Sequence, residues 1–205
     1  MIARNIVLFC FLVGNLTIAP RPDGLAAGKA ATAPGTYRDW NGDIDEVTIL
    51  QPFNAAGYDS IAVETFDTAG VSLPNPKDNT YAAVQEAIRL IKPAFMAGLQ
   101  ENARRKISAN NPPASGKART LVIRARVIKL DPGSRAARYW AAFGAGAVKI
   151  AMTGEIIDAA SKKTLVRFKQ ERRSAVGMFG GGYQELFTRT AHQIGGDIAT
   201  LINAF

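Results

Sequence analysis

Two amphipathic stripes constrain this chain more than any other feature. Tyr81, Val84, Ile88, Ile91, Phe95 and Leu99 recur every three or four residues, and so do Phe187, Ala191, Ile194, Ile198, Leu201 and Phe205. At 3.6 residues per turn each set lies on one helix face, and a one-sided helix must bury that face against another layer. Between the stripes lie three segments that alternate with the period of a strand. They are Leu121 to Val127, Val148 to Asp158, and Leu165 to Ser174. A further strand, Ser60 to Phe66, precedes the first helix, and Asp45 to Phe53 is a weaker candidate. These elements predict an α+β fold: an antiparallel sheet of about four strands, order β-α-β-β-β-α, with both helices packed on one face.

Local residues refine the elements. Pro93 falls inside the first stripe, where it removes a backbone hydrogen bond and favours a kink. Asp78 and Asn79 stand where a helix cap is expected. Gly195-Gly196 interrupts the second helix at about 1 kcal/mol per Gly relative to Ala, so a close approach to the sheet is expected there. Gly144 and Gly146 lie in a small-residue turn ahead of a strand, and Gly180, Gly181 and Gly182 lead into the last helix. All five are expected to be structural glycines.

The N-terminus reads as an export signal over residues 1–19. Arg4 precedes an uncharged run, Ile6 to Val13, that is too short for the about 20 apolar residues of a membrane span. Thr17-Ile18-Ala19 offers small residues at the expected cut, although Pro20 would follow it. Residues 20–44 are rich in Ala, Gly and Pro and read as a flexible leader. Residues 45–205 then form a single domain, as expected for 205 residues of which 47% are hydrophobic. Cys10 is the one cysteine and would depart with the signal. It lacks the small preceding residues that a lipidation motif requires.

Composition excludes several functions. One cysteine and one histidine cannot supply a structural zinc site or an internal disulfide. Gly144-Ala145-Gly146 precedes a strand rather than opening a helix, which removes the dinucleotide reading. Glu155 and Asp158 are three apart on a strand and so face opposite ways, which removes a paired acid and base. No nucleophile sits in a recognisable catalytic motif. The chain is therefore read as a non-enzyme without cofactor or metal.

What composition favours is binding. Lys and Arg number 25 against 17 Asp and Glu, a net charge of +8, which suits anionic partners. Arg124 and Arg126 point to the face opposite the apolar residues of their strand. Lys149 and some of Arg167, Lys169 and Arg173 join them in an expected half-open basic sheet. Arg135, Arg138, Tyr139, Trp140 and Phe143 combine cations and aromatic rings in one short loop, a pairing suited to a stacked ligand or a membrane interface.

With these residues in place, the C-terminal half resembles the bacterial family called domain of unknown function 4410. The resemblance rests on Arg138-Tyr139, Phe143-Gly144-Ala145-Gly146, Gly154-Glu155-Ile156-Ile157-Asp158 and the Gly-rich segment before the last helix. It covers roughly residues 60–205. The family's turn sequence Thr-Gly-Lys reads Ser161-Lys162-Lys163 here, and the lipidation motif of many members is missing. The resemblance implies an exported, non-enzymatic accessory protein of the periplasm or cell envelope, and it transfers no catalytic residue. An envelope protein or an anionic glycan or lipid surface is the expected partner, with peripheral membrane contact and self-association left open. The alternative is a nucleic-acid-binding module that uses the basic sheet face.

Overall fold

The computed structural model describes residues 30–108, 119–133, 147–174 and 182–205. Seven strands and two long helices appear among them: β1 (Gly35–Trp40), β2 (Ile44–Ile49), β3 (Ser60–Asp67), α1 (Tyr81–Asn102), β4 (Lys106–Ser108), β5 (Thr120–Asp131), β6 (Val148–Asp158), β7 (Thr164–Ser174) and α2 (Tyr183–Asn203). All strands join one sheet in the order β1-β2-β7-β6-β5-β3-β4. The α+β class and both helices match expectation, whereas the strand number and pairing do not.

Three strands exceed the expected four. β1 and β2 form a hairpin added to β7, and β1 lies within the stretch expected to be leader. The signal was Asn41-Gly42, a dipeptide whose residues readily take positive φ in tight hairpins. Here Asn41 has φ 53° and Gly42 φ 75°, and Asp43 N–H donates to the Trp40 carbonyl at 3.1 Å. Trp40 anchors the hairpin, its indole buried and its Nε1–H donating to the Ala31 carbonyl at 2.9 Å.

The sheet is mixed rather than antiparallel. β3 pairs parallel with both β5 and β4. The reason is the connection: α1 carries the chain back to the starting end of the sheet, so the next strand must run in the same direction as β3. The remaining pairs are antiparallel: β1–β2, β5–β6 and β6–β7 join strands consecutive in the chain, and β2–β7 joins strands far apart in it.

The core lies between one sheet face and the helices. Inward residues such as Ile61, Val63, Ile123, Ile150, Met152, Ile156 and Val166 merge with Val84, Ile91, Phe95, Leu99, Phe187, Ile194 and Ile198 into one buried cluster. The α1 stripe agrees with expectation except that Tyr81 and Ile88 are only half-buried and Ala87 and Gly98 join the buried set. α1 runs unbroken through Pro93, whose side is exposed. Burial of about 25 cal/mol per Å2 of apolar surface makes this cluster the main source of stability.

Gly195 is where expectation needs correcting. A Cβ there would stand 2.1 Å from the Phe95 carbonyl oxygen. The close approach is thus to α1, not to the sheet. Gly154 does serve the sheet: a Cβ would meet the Phe168 ring at 2.3 Å and the Arg124 carbonyl oxygen at 2.7 Å. Gly182, expected to be structurally required, precedes α2 with φ −66° and ψ 157°, and a Cβ would meet nothing within 4 Å. Neither backbone angle nor space demands glycine there.

A polar clamp fixes α2 to the sheet and the hairpin. Asp197 on α2 accepts from Arg172 Nε and Nη2 at 2.5 Å each and from Gln170 Nε2 at 2.9 Å. The same Gln170 amide donates to the Asp43 carbonyl at 2.7 Å and its oxygen accepts from Asp45 N–H at 3.1 Å. Burial pushes the Asp197 carboxyl up, against the pull of the Arg172 fork. The bond to Asp197 in turn holds Arg172 firmly protonated.

Candidate functional site on the open sheet face

Among the described residues nothing covers the centre of the face turned away from the helices, which forms a trough of about 560 Å3. Its walls come from β2, β3, β5, β6 and β7, all rigid elements. Strand alternation decides which residues enter it, and register decides which of them meet.

Two cross-sheet rows result. One runs Thr36, Thr48, Arg167, Glu155, Arg124, Thr65. The next runs Arg38, Glu46, Lys169, Thr153, Arg126, Asp67. A bulge between Val63 and Thr65 sets Glu64 beside Thr65, opposite Arg124.

Each arginine at the centre is tied to a carboxylate through its Nε. Arg124 donates to Glu64 at 2.6 Å, Arg126 to Asp67 at 2.8 Å and Arg167 to Glu155 at 2.9 Å. Arg173 pairs with Glu171 at 2.9 Å farther along β7. These pairs are exposed and add little stability, in the range of about 0–1 kcal/mol each. What they do is hold each guanidinium in one orientation; Arg124, Arg126 and Arg167 use only Nε for this, and their terminal nitrogens make no hydrogen bond among the described residues. The Ala69 amide, and after it Arg126, holds the Asp67 carboxyl below the usual carboxylate range.

The expected basic face is therefore a charge-paired face. Arg124, Arg126, Arg167, Lys169 and Arg173 do lie on it, as alternation predicted. Alternation also places Glu155 and Glu171 on this face, but not Glu64 and Asp67, which belong to β3 and reach the arginines of β5 only through the parallel pairing. Arg135, Arg138, Tyr139, Trp140, Phe143, Gly144, Gly146, Gly180 and Gly181 lie outside the described residues. Glu155 enters the trough while Asp158 turns away to Tyr58 on the other side, so the two carboxylates stay apart as expected. No group of three or more candidate metal ligands occurs among the described residues.

A family model described as "Domain of unknown function (DUF4410)" matches residues 61–178, from β3 past the end of β7. The chain belongs to the DUF4410 family. The DUF4410 match spans β3 from Ile61, β5, β6 and β7 and stops short of α2, while the β1–β2 hairpin that completes both rows precedes it. A comparison with curated proteins finds no match. Among solved structures, this DUF4410 chain is similar to a PelC dodecamer from Paraburkholderia phytofirmans at 15% identity and a TM-score of 0.42, covering 73% of this chain and 96% of that one. It is also similar to a Xanthomonas campestris protein of the DUF330 family at 15% identity and a TM-score of 0.33, covering 76% of this chain and 93% of that one. Likenesses this distant carry no functional argument.

Proposed function

We propose that this chain is an exported, non-enzymatic accessory protein of the cell envelope that holds a protein or glycan partner on its open sheet face. The observation that carries the binding part is the trough: about 560 Å3 on a rigid face that no described residue covers, with its arginines already oriented by cross-strand carboxylates. Preformed polar surface lowers the ordering cost of association. The N-terminal pattern of Arg4 followed by an apolar run supports export. No described helix is long and apolar enough to cross a membrane.

The paired charges favour this reading over nucleic acid. A polyanion gains affinity by neutralising many phosphates with unpaired cations. On this face Arg124, Arg126, Arg167 and Arg173 each already share a carboxylate. The segment from Arg135 to Phe143 remains a second proposed contact, tested by changing Arg138 and Trp140 together.

Expression in a Gram-negative cell tests both halves. Cleavage of a leader would convert the 21.9 kDa chain into a mature species of about 19–20 kDa in the periplasm or envelope. A photoreactive residue placed at Glu46 in the trough should then yield specific adducts, and one at Arg89 on the exposed side of α1 should not. A full-length cytoplasmic protein would overturn the export half, and adducts from Arg89 alone would overturn the open-face half.

A further inference from the structure

We infer that Lys169, Thr153 and Arg126 form the seat of a single anionic group, a carboxylate or phosphate, borne by a ligand lying in the trough. The inference rests on the open-face reading above and deepens it.

It comes from a break in the charge alternation. In one row Glu155 on β6 stands between Arg167 on β7 and Arg124 on β5, so a negative charge lies between two positive ones. In the adjacent row the β6 position belongs to Thr153, between Lys169 and Arg126. Two cations then flank an uncharged hydroxyl, and the negative charge that completes the pattern is missing. Lys169 and Arg126 are one strand away on either side of Thr153, so their Cα atoms are separated by about 10 Å. Side chains of that length can converge on a group resting above the hydroxyl.

The donors are available. Lys169 makes no ion pair, and the Thr153 hydroxyl no hydrogen bond, among the described residues. Arg126 uses only Nε toward Asp67, so its terminal nitrogens can donate as a fork to two oxygens of one acid group. All three residues border the same trough. Glu46, Asp67 and Glu155 border it as well. Those carboxylates repel a second negative charge, so the seat suits one acid group on an otherwise neutral polar ligand and not a polyanion.

The test is a titration of the isotope-labelled full domain, followed by amide chemical shifts, with inorganic phosphate, acetate and glucuronate (one carboxylate on an otherwise neutral sugar) as probes. Saturable shifts are expected at the amides of Arg126, Thr153 and Lys169. Lys169→Gln and Thr153→Val should each weaken the effect, by roughly tenfold for the lysine because a charge-assisted bond is lost. Tighter binding of glucuronate than of acetate is expected for an acid borne by a ligand lying in the trough, and equal binding of the two would overturn that ligand-borne reading. Lack of saturation with all three probes, or equal binding by wild type and Lys169→Gln, would overturn it. Adducts from Glu46 that persist in that case would leave the open-face reading standing and remove only the anion seat.

Discussion

Gly98 on α1 and Gly195 on α2 bring the two helices together backbone to backbone. A Cβ on Gly98 would lie 1.9 Å from the His192 carbonyl oxygen, and one on Gly195 would lie 2.8 Å from the Leu99 nitrogen. Backbone cannot move aside as a side chain does, so either substitution must separate the helices. Around this crossing Asn102 donates to the Gly98 carbonyl at 2.9 Å, and His192 Nε2 lies 2.8 Å from Glu101.

Gly98→Ala and Gly195→Ala should therefore each destabilise the fold by about 1–3 kcal/mol, the usual range for overpacking. Gly196→Ala is the control. Its Cβ would meet only the Asn102 side chain, the amide nitrogen at 3.1 Å and Cγ at 3.6 Å, and the gain in helix preference of about 1 kcal/mol offsets that contact. Urea unfolding of the three variants checks the contrast, and equal losses at Gly195 and Gly196 would contradict it.

Asp158 makes stability depend on acid. Its carboxylate is held down to about 2, first by the Ser161 amide and then by the Tyr58 hydroxyl, which donates at 2.6 Å. Burial, followed by the same carboxylate, pushes Tyr58 up to about 12. The folded value of Asp158 lies below the unfolded one near 3.9, so its contribution is complete above that value and is lost as pH falls toward 2. The loss amounts to about 2 kcal/mol. Denaturant melts across this range should show the slope in the wild type and a much weaker one in Asp158→Asn.

Lys162 occupies a glycine conformation. It follows Ser161 in the β6–β7 turn with φ 58°, at the position where the family's turn carries Gly. A non-glycine residue there is strained by about 1–2 kcal/mol. Lys162→Gly should relieve part of this and stabilise by about 0.5–1 kcal/mol, the remainder being offset by added freedom in the unfolded chain. Thermal melting measures the sign directly.

The Arg172–Asp197 pair should couple strongly. Asp197→Leu alone leaves a half-buried guanidinium without its main partner, and Arg172→Met alone leaves a buried carboxylate, each costing about 3–5 kcal/mol. The double variant should lose clearly less than the sum of the two. Additive losses in a double-mutant cycle would show that the clamp does not act as a unit.

Much of this architecture was legible locally. The limits of β6 and α2, and the inward faces of β5, β6, β7 and both helices, follow from residue spacing, because the periods of 2 and 3.6 belong to the backbone itself. Tertiary structure decided what those elements met. β1 escaped notice because only Asn41-Gly42 marked its hairpin and its strand residues are mostly exposed. The parallel pairing of β3 with β5 depended on where α1 returns the chain. Gly195 could be recognised as a close approach, but its partner on α1 lies about a hundred residues earlier in the chain. The cationic residues of the open face, with Glu155 and Glu171, were likewise evident from alternation, whereas the pairing of Glu64 and Asp67 with Arg124 and Arg126, and the gap at Thr153 between Lys169 and Arg126, arise only when the strands come into register. Period is a local property of a chain; register is set by contacts between segments far apart in it.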